Sequence, residues 1–200
     1  MKTYVALLRG INVGGHKKVA MADLRDLLTR LGLADARSLL QSGNLVFRGD
    51  GRSPAQVERL LESEARRRLG LETVFFVRTA EEWNAVLESN PLRKEAERDP
   101  ARLLVVFLKD APGAAHVKAL AEAIAGPEVV RARGRHAYIF YPAGIGRSSL
   151  THALIEKRLG THGTGILDKT LLGSTTERVV RRAPCPVLTC RLTEHEFVDD

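Results

Sequence analysis

The chain has 200 residues, of which 44% are hydrophobic and 28% charged, and carries a formal net charge of +7. That length allows one large or two small domains, and the composition suits a folded core rather than a disordered chain. No apolar run approaches the roughly 20 residues needed to span a bilayer. The short run Tyr4-Val5-Ala6-Leu7-Leu8 behind Lys2 is ended by Arg9 and Gly10, too soon for a secretory core, so the expected location is the cytoplasm.

The first eighty residues read as β-α-β-β-α-β. Residues 3–8 form a short apolar strand. Leu24, Leu27, Leu28 and Leu31 follow at helical spacing until Gly32. Residues 38–41 and 45–47 flank Ser42-Gly43-Asn44, a hairpin signal. Ser53-Pro54 supplies an N-cap and a first-turn proline for a helix that turns Val57, Leu60 and Leu61 inward and ends near Gly70. Residues 73–77 close the unit. This order is that of the split βαβ, or ferredoxin-like, fold.

A connecting helix over residues 79–89 presents Trp83, Val86 and Leu87, and the polar stretch 90–100 reads as a linker. The order then recurs. Strands are expected at 103–108, 128–132 and 137–141, with a hairpin at Arg133-Gly134-Arg135 and helices at 114–124 and 149–159. Residues 186–191 could supply the fourth strand. The expected fold is therefore α+β, two ferredoxin-like subdomains in tandem. Residues 1–89 form the first with its connecting helix, 90–159 the second, and 160–200 a tail that completes the second sheet.

Charge is unevenly spread. Residues 160–200 hold five basic and six acidic groups, which leaves +8 on residues 1–159. Such an excess favours anionic ligands, and nucleic-acid binding by this basic region is one alternative. Much of it sits on helix faces, as at Arg66-Arg67-Arg68 beside Glu62 and Glu64, which read as a solvated face. The expected strands offer no paired aromatics of the RNA-binding type.

One glycine-rich loop leaves the first strand: Arg9-Gly10-Ile11-Asn12-Val13-Gly14-Gly15-His16-Lys17-Lys18. Its glycines allow a tight turn with exposed N–H groups, and lysines follow, so Arg9, Asn12, Gly14, Gly15 and Lys17 are the candidate anion-binding residues. The other reading is a plain connection in which Asn12 bonds its own backbone. Catalytic constellations are poor. His16, His116, His136, His152, His162 and His195 show no metal-ligand spacing, and Ser148-Ser149 lies in no nucleophile elbow. Residues 146–149 read as a helix N-cap with Arg147 near a phosphate. Cys185 and Cys190, five apart, would face opposite sides of a strand and neither bridge nor share a metal.

ALLRGINVGGHKKVAMADLRDLL (residues 6–28), LQSGNLVF (40–47) and FYPAGIGRSSLTHALIEKRLG (140–160) resemble the bacterial domain-of-unknown-function family sixteen-ninety-seven. The resemblance covers residues 1 to about 160. It implies paired ferredoxin-like subdomains and no assigned activity. Members of that family typically continue past the KRLG helix into a TRNW-like run and a last helix, which this chain lacks.

Instead, GTHGTGILDKTLLGSTTERVVRRAPCPVLTCR (residues 160–191) resembles the C-terminal part of a universal stress protein, with Gly160, Gly163, Gly173 and Ser174 in that family's G-x-x-G-x9-G-[ST] pattern. The resemblance implies that these residues hold the phosphates and ribose of ATP at a helix N-terminus. The matching N-terminal strand of such a site is missing here. The same resemblance implies a last strand able to pair across a homodimer, the alternative being a monomer.

The expectation is thus a non-catalytic or cryptically catalytic cytoplasmic protein binding an anionic small molecule or nucleotide through glycine-rich loops. The alternatives are an ATP-binding stress-type protein, with ATP as the implied cofactor, and a nucleic-acid binder. No metal and no membrane partner are expected.

Overall fold

The computed structural model describes residues 1–12, 18–39 and 44–167. Gly14, Gly15, Lys17, Gly173, Ser174 and both cysteines lie outside the described residues. Residues 1–90 form one compact unit and residues 91–167 a second. Together they are α+β, with two four-stranded antiparallel sheets and six α-helices among the described residues.

The first unit runs β1 (Lys2–Leu8), α1 (Met21–Arg30), β2 (Ala34–Leu39), β3 (Asn44–Gly49), α2 (Pro54–Leu69), β4 (Phe75–Thr79) and α3 (Ala80–Glu88). Its strands lie in the order β2-β3-β1-β4, every pair antiparallel. Alternation along the central strand β1 sends Tyr4, Ala6 and Leu8 into a core with Leu24, Leu27 and Leu28 of α1, Val57, Leu61 and Ala65 of α2, and Phe75 and Val77 of β4. Val5, Leu7, Phe76 and Arg78 have the opposite parity and are buried as well. Glu58 is buried within the stripe that α2 turns inward, where its Oε1 accepts Val77 N–H at 2.9 Å and lies 3.5 Å from Arg78 Nη1.

Local signals explain the helices. Ser53 Oγ accepts Gln56 N–H while Gln56 Oε1 accepts Ser53 N–H, a capping box ahead of Pro54, and Gly70 ends α2 in the left-handed conformation at φ 60°. Thr79 and Glu82 make the same reciprocal pair at the start of α3. In α3 Trp83 and Val86 are buried, whereas Leu87 is 43% exposed and not part of the stripe expected for it.

The second unit opens with α4 (Arg93–Arg98) and a 3-10 turn at Pro100–Arg102, so the expected linker holds helical structure, with Leu92 buried at its start. Then come β5 (Leu103–Leu108), α5 (Ala114–Glu122), β6 (Val129–Arg133), β7 (His136–Phe140), α6 (His152–Leu159) and β8 (Gly163–Leu167). The strand order is β6-β7-β5-β8, which repeats the order of the first sheet strand for strand. The core joins Leu104, Val106 and Leu108 of β5 to Leu120 of α5 and to Ile155 and Leu159 of α6.

Two expectations change here. The place beside β5 belongs to Gly163–Leu167, immediately after α6, with Leu108 opposite Gly163 and Leu104 opposite Leu167. Residues 186–191, the expected donor of that strand, lie outside the described residues. The cap of α6 is Thr151, whose Oγ1 accepts Leu154 N–H at 3.3 Å, rather than residues 146–149. Ser148 serves the turn before it, its Oγ donating to Glu128 and accepting Leu150 N–H.

Candidate functional site

The end of β1 builds the candidate site of the first unit. Arg9 is anchored through its main chain: its N–H donates to Val74 O at 3.2 Å and its carbonyl accepts Thr73 Oγ1–H at 2.8 Å. Gly10 then takes a positive φ of 60° and Ile11 is buried. Asn12 also stands at positive φ, 54°, a conformation that asparagine tolerates better than most side chains. Its amide reaches across the loop. Nδ2–H donates to Val19 O at 3.0 Å, and Oδ1 accepts Val19 N–H at 2.9 Å. Asn12 therefore closes onto the backbone of Val19, seven residues on, as the plain-connection reading expects of it.

Beyond that closure, α1 begins at Met21 from an extended Ala20 that offers no side-chain cap. The first-turn N–H groups of a helix carry partial positive charge. Lys18, exposed, stands just ahead of them. The end of α2 contributes Arg68 and Leu69. These groups, with Asn12, Val19, Ala20 and Asp23, line an open cleft of about 710 Å³. A groove of about 320 Å³ adjoins it along α1, with Asp26 and Arg30 on its rim.

Arg68 is held by a carboxylate of its own helix. Glu64 Oε2 receives Arg68 Nε–H at 2.7 Å and Arg67 Nη2–H at 2.6 Å. The Arg67 bond first, then that of Arg68, holds the Glu64 carboxyl down at about 2. The arginine run read as a solvated face thus has a second use: one of its members lines the cleft. Sequence reasoning missed Arg68 because α2 meets α1 only in the fold.

The second set of predicted residues lies at the end of α6 in the other unit. Gly160 is the C-cap of α6, left-handed at φ 67°, and its N–H donates to Glu156 O at 2.8 Å. Gly163 opens β8. Its N–H donates to Glu156 Oε1 at 2.7 Å, and a Cβ there would lie 2.8 Å from Val106 Cγ1. These two glycines end a helix and start a strand. A helix C-terminus carries partial negative charge. Gly173 and Ser174 lie outside the described residues.

Burial raises the phenols of Tyr138, to about 12, and of Tyr141, beside Glu128. Both stay neutral donors at ordinary pH. No group of three or more His, Cys, Asp or Glu among the described residues could hold a metal ion. None of the described helices is long and apolar enough to cross a membrane.

Residues 159–191 match the universal stress protein family. No curated protein matches the chain. Among solved structures it is similar to the conserved bacterial protein SP0830 from Streptococcus pneumoniae, at 28% identity and a TM-score of 0.64, over 84% of this chain and 94% of that one. Residues 1–138 match the family described as protein of unknown function (DUF1697), a match that stops short of the α6 motif. With most of its length covered in this way, the chain belongs to the DUF1697 family.

Proposed function

We propose that this protein is a non-catalytic binder of an anionic, phosphate-containing small molecule, held in the cleft between the Asn12–Val19 closure and the start of α1. The carrying observation is that Lys18 and Arg68 line one open cleft together with the start of α1, which has no side-chain cap. Asp23, in the first turn of α1 and lining the same cleft, opposes a dense charge and favours a ligand whose phosphate sits toward Lys18. In this reading both units are ferredoxin-like, since their shared strand order is that of the split βαβ arrangement. The sheets then act as scaffolds and the loops as sites.

Isothermal titration with inorganic phosphate and with ATP–Mg²⁺ tests the proposal. Saturable binding that weakens at least about tenfold in Lys18→Glu supports it, the loss corresponding to about 1.4 kcal/mol. Absence of any heat at millimolar ligand refutes it.

ATP binding through the C-terminal segment is the second reading, favoured by the family match over residues 159–191. Its signature is ATP binding that survives Lys18→Glu and disappears in Gly173→Val. Against it stands the use of the Gly163 N–H by the Glu156 carboxylate, which puts a negative charge where a phosphate would need a donor.

A further inference from the structure

The cleft of the first unit carries charges of both signs. Lys18 and Arg68 line it together with Asp23, and the adjoining groove adds Asp26, Leu27 and Arg30. Asp23, Arg68 and Leu69 border both volumes, so the cleft of about 710 Å³ and the groove of about 320 Å³ run together. Asp23, Asp26 and Arg30 recur three and four residues apart, which sets them along one face of α1. At 1.5 Å per residue, Asp26 stands about 4.5 Å beyond Asp23 along the helix axis, and Arg30 about 6 Å beyond Asp26.

These charges are not equally available to a ligand. Arg68 is already bonded to Glu64, so Lys18 and the first-turn amides of α1 carry most of the attraction for an anion. Asp23 and Asp26 are exposed, and no ion pair within the described residues engages either carboxylate. A bare phosphate dianion entering this volume meets Lys18 and is repelled by Asp23. A cationic group carried beyond the phosphate turns the same carboxylate into a partner.

We propose that the ligand of this cleft is zwitterionic, a short aminoalkyl phosphate ester, a class that rests on the anion-binding reading of the cleft. Its phosphate lies at Lys18 and the start of α1, and its ammonium lies between Asp23 and Asp26. A phosphate and an ammonium about 5–7 Å apart match the rise of α1 from its first residue to these carboxylates. Buried Leu27 and half-buried Leu69 give the linking carbons an apolar floor. Arg30 repels an ammonium carried further along the groove, which favours a short chain. A divalent cation is the other way to balance two carboxylates against a phosphate. No group of three or more His, Cys, Asp or Glu among the described residues could hold one.

Amide chemical-shift titration of α1 at low ionic strength tests the proposal. The ligands are 3-aminopropyl phosphate, 3-hydroxypropyl phosphate and inorganic phosphate, each in EDTA, and the unligated spectrum of every variant reports its folding. The amino ester should bind about three- to tenfold more tightly than the hydroxy ester, the range of two exposed charge pairs. In an Asp23→Asn, Asp26→Asn double variant the two esters should bind alike, and each single variant should lose part of the preference. Lys18→Glu should weaken both esters. Equal binding of the two esters by the unaltered chain, with inorganic phosphate still bound, overturns the zwitterionic class and leaves the anion reading standing. A preference that survives in the double variant overturns the class as well. Phosphate binding that appears only when Mg²⁺ replaces EDTA assigns the carboxylates to a metal and does the same. Absence of shifts with all three ligands removes the anion reading and this class with it.

Discussion

Asn12 and Val19 are joined side chain to main chain by two hydrogen bonds, of 3.0 and 2.9 Å, from either side of the glycine-rich segment of the sequence. The pair imitates one rung of an antiparallel ladder, with the asparagine amide in place of a peptide. Asparagine suits the position on two counts. Its amide offers a donor and an acceptor on one plane, and it tolerates the φ of 54° found there.

Asn12→Ala is expected to cost about 2–3 kcal/mol, from two hydrogen bonds at about 1 kcal/mol each plus the strain of alanine at positive φ. Asn12→Gly removes the strain and should cost about 1 kcal/mol less. Asn12→Asp keeps the acceptor for Val19 N–H but sets a carboxylate against Val19 O. Urea unfolding ranks the three, and an Ala variant no less stable than the Gly variant contradicts this account of the loop.

The Glu58–Arg78 pair is buried on both sides, with side chains 2% and 1% exposed. Removing Glu58 strips Arg78 of a charged partner and Val77 of the acceptor for its N–H. Glu58→Ala should therefore destabilise by about 3–5 kcal/mol. Glu58→Gln keeps an acceptor for Val77 and should cost less. Denaturant midpoints with an unchanged slope separate this loss from a change in the unfolded chain.

Glu64 titrates far below a free glutamate because Arg67 and Arg68 bond its ionised form. The pairing helps folding above the unfolded-state value, and that help is lost as pH falls toward about 2. Carbon-detected NMR titration should place the Glu64 carboxyl midpoint near 2 in the unaltered chain. In an Arg67→Gln, Arg68→Gln double variant it should rise toward the ordinary glutamate value. A midpoint unmoved by the double variant would exclude the arginines as the cause.

Helix ends were the most legible part of this fold. Ser53-Pro54 with Gln56, and Gly70 after the last apolar turn, mark α2 at both ends, because each signal is a local hydrogen bond or backbone conformation. Strand β2 was less legible. It starts at Ala34, earlier than expected: its inward positions, Ala34 and Ala36, are small, and Asp35 takes φ 53° beside an irregular register, so the residue types carry little strand signal. Glu58 was unreadable as a core residue because its partner Arg78 comes from another element. The cleft was half legible: the loop announced itself by its glycines, while Arg68 joins it through helix packing. Glycine spacing alone does not say whether a helix begins or ends there, and at Gly160 and Gly163 one ends and a strand begins.

That distinction leads to a contrast between the two glycines. At Gly160 an added Cβ meets nothing nearer than His116 Nε2 at 3.6 Å, so Gly160→Ala costs only the strain of φ 67°, about 1 kcal/mol. At Gly163 the added Cβ lies 2.8 Å from Val106 Cγ1 and 3.1 Å from Leu108 Cδ2, both on buried residues of β5. Val106 is β-branched and has little rotamer freedom to yield, so β8 must move away from β5. Gly163→Ala should therefore cost about 1–3 kcal/mol and weaken β8 protection selectively. Both effects are expected without nucleotide. If thermal unfolding shows Gly163→Ala unchanged in the absence of ATP and altered only in its presence, the glycine serves a ligand; a loss in both conditions assigns it to the closure of the second sheet.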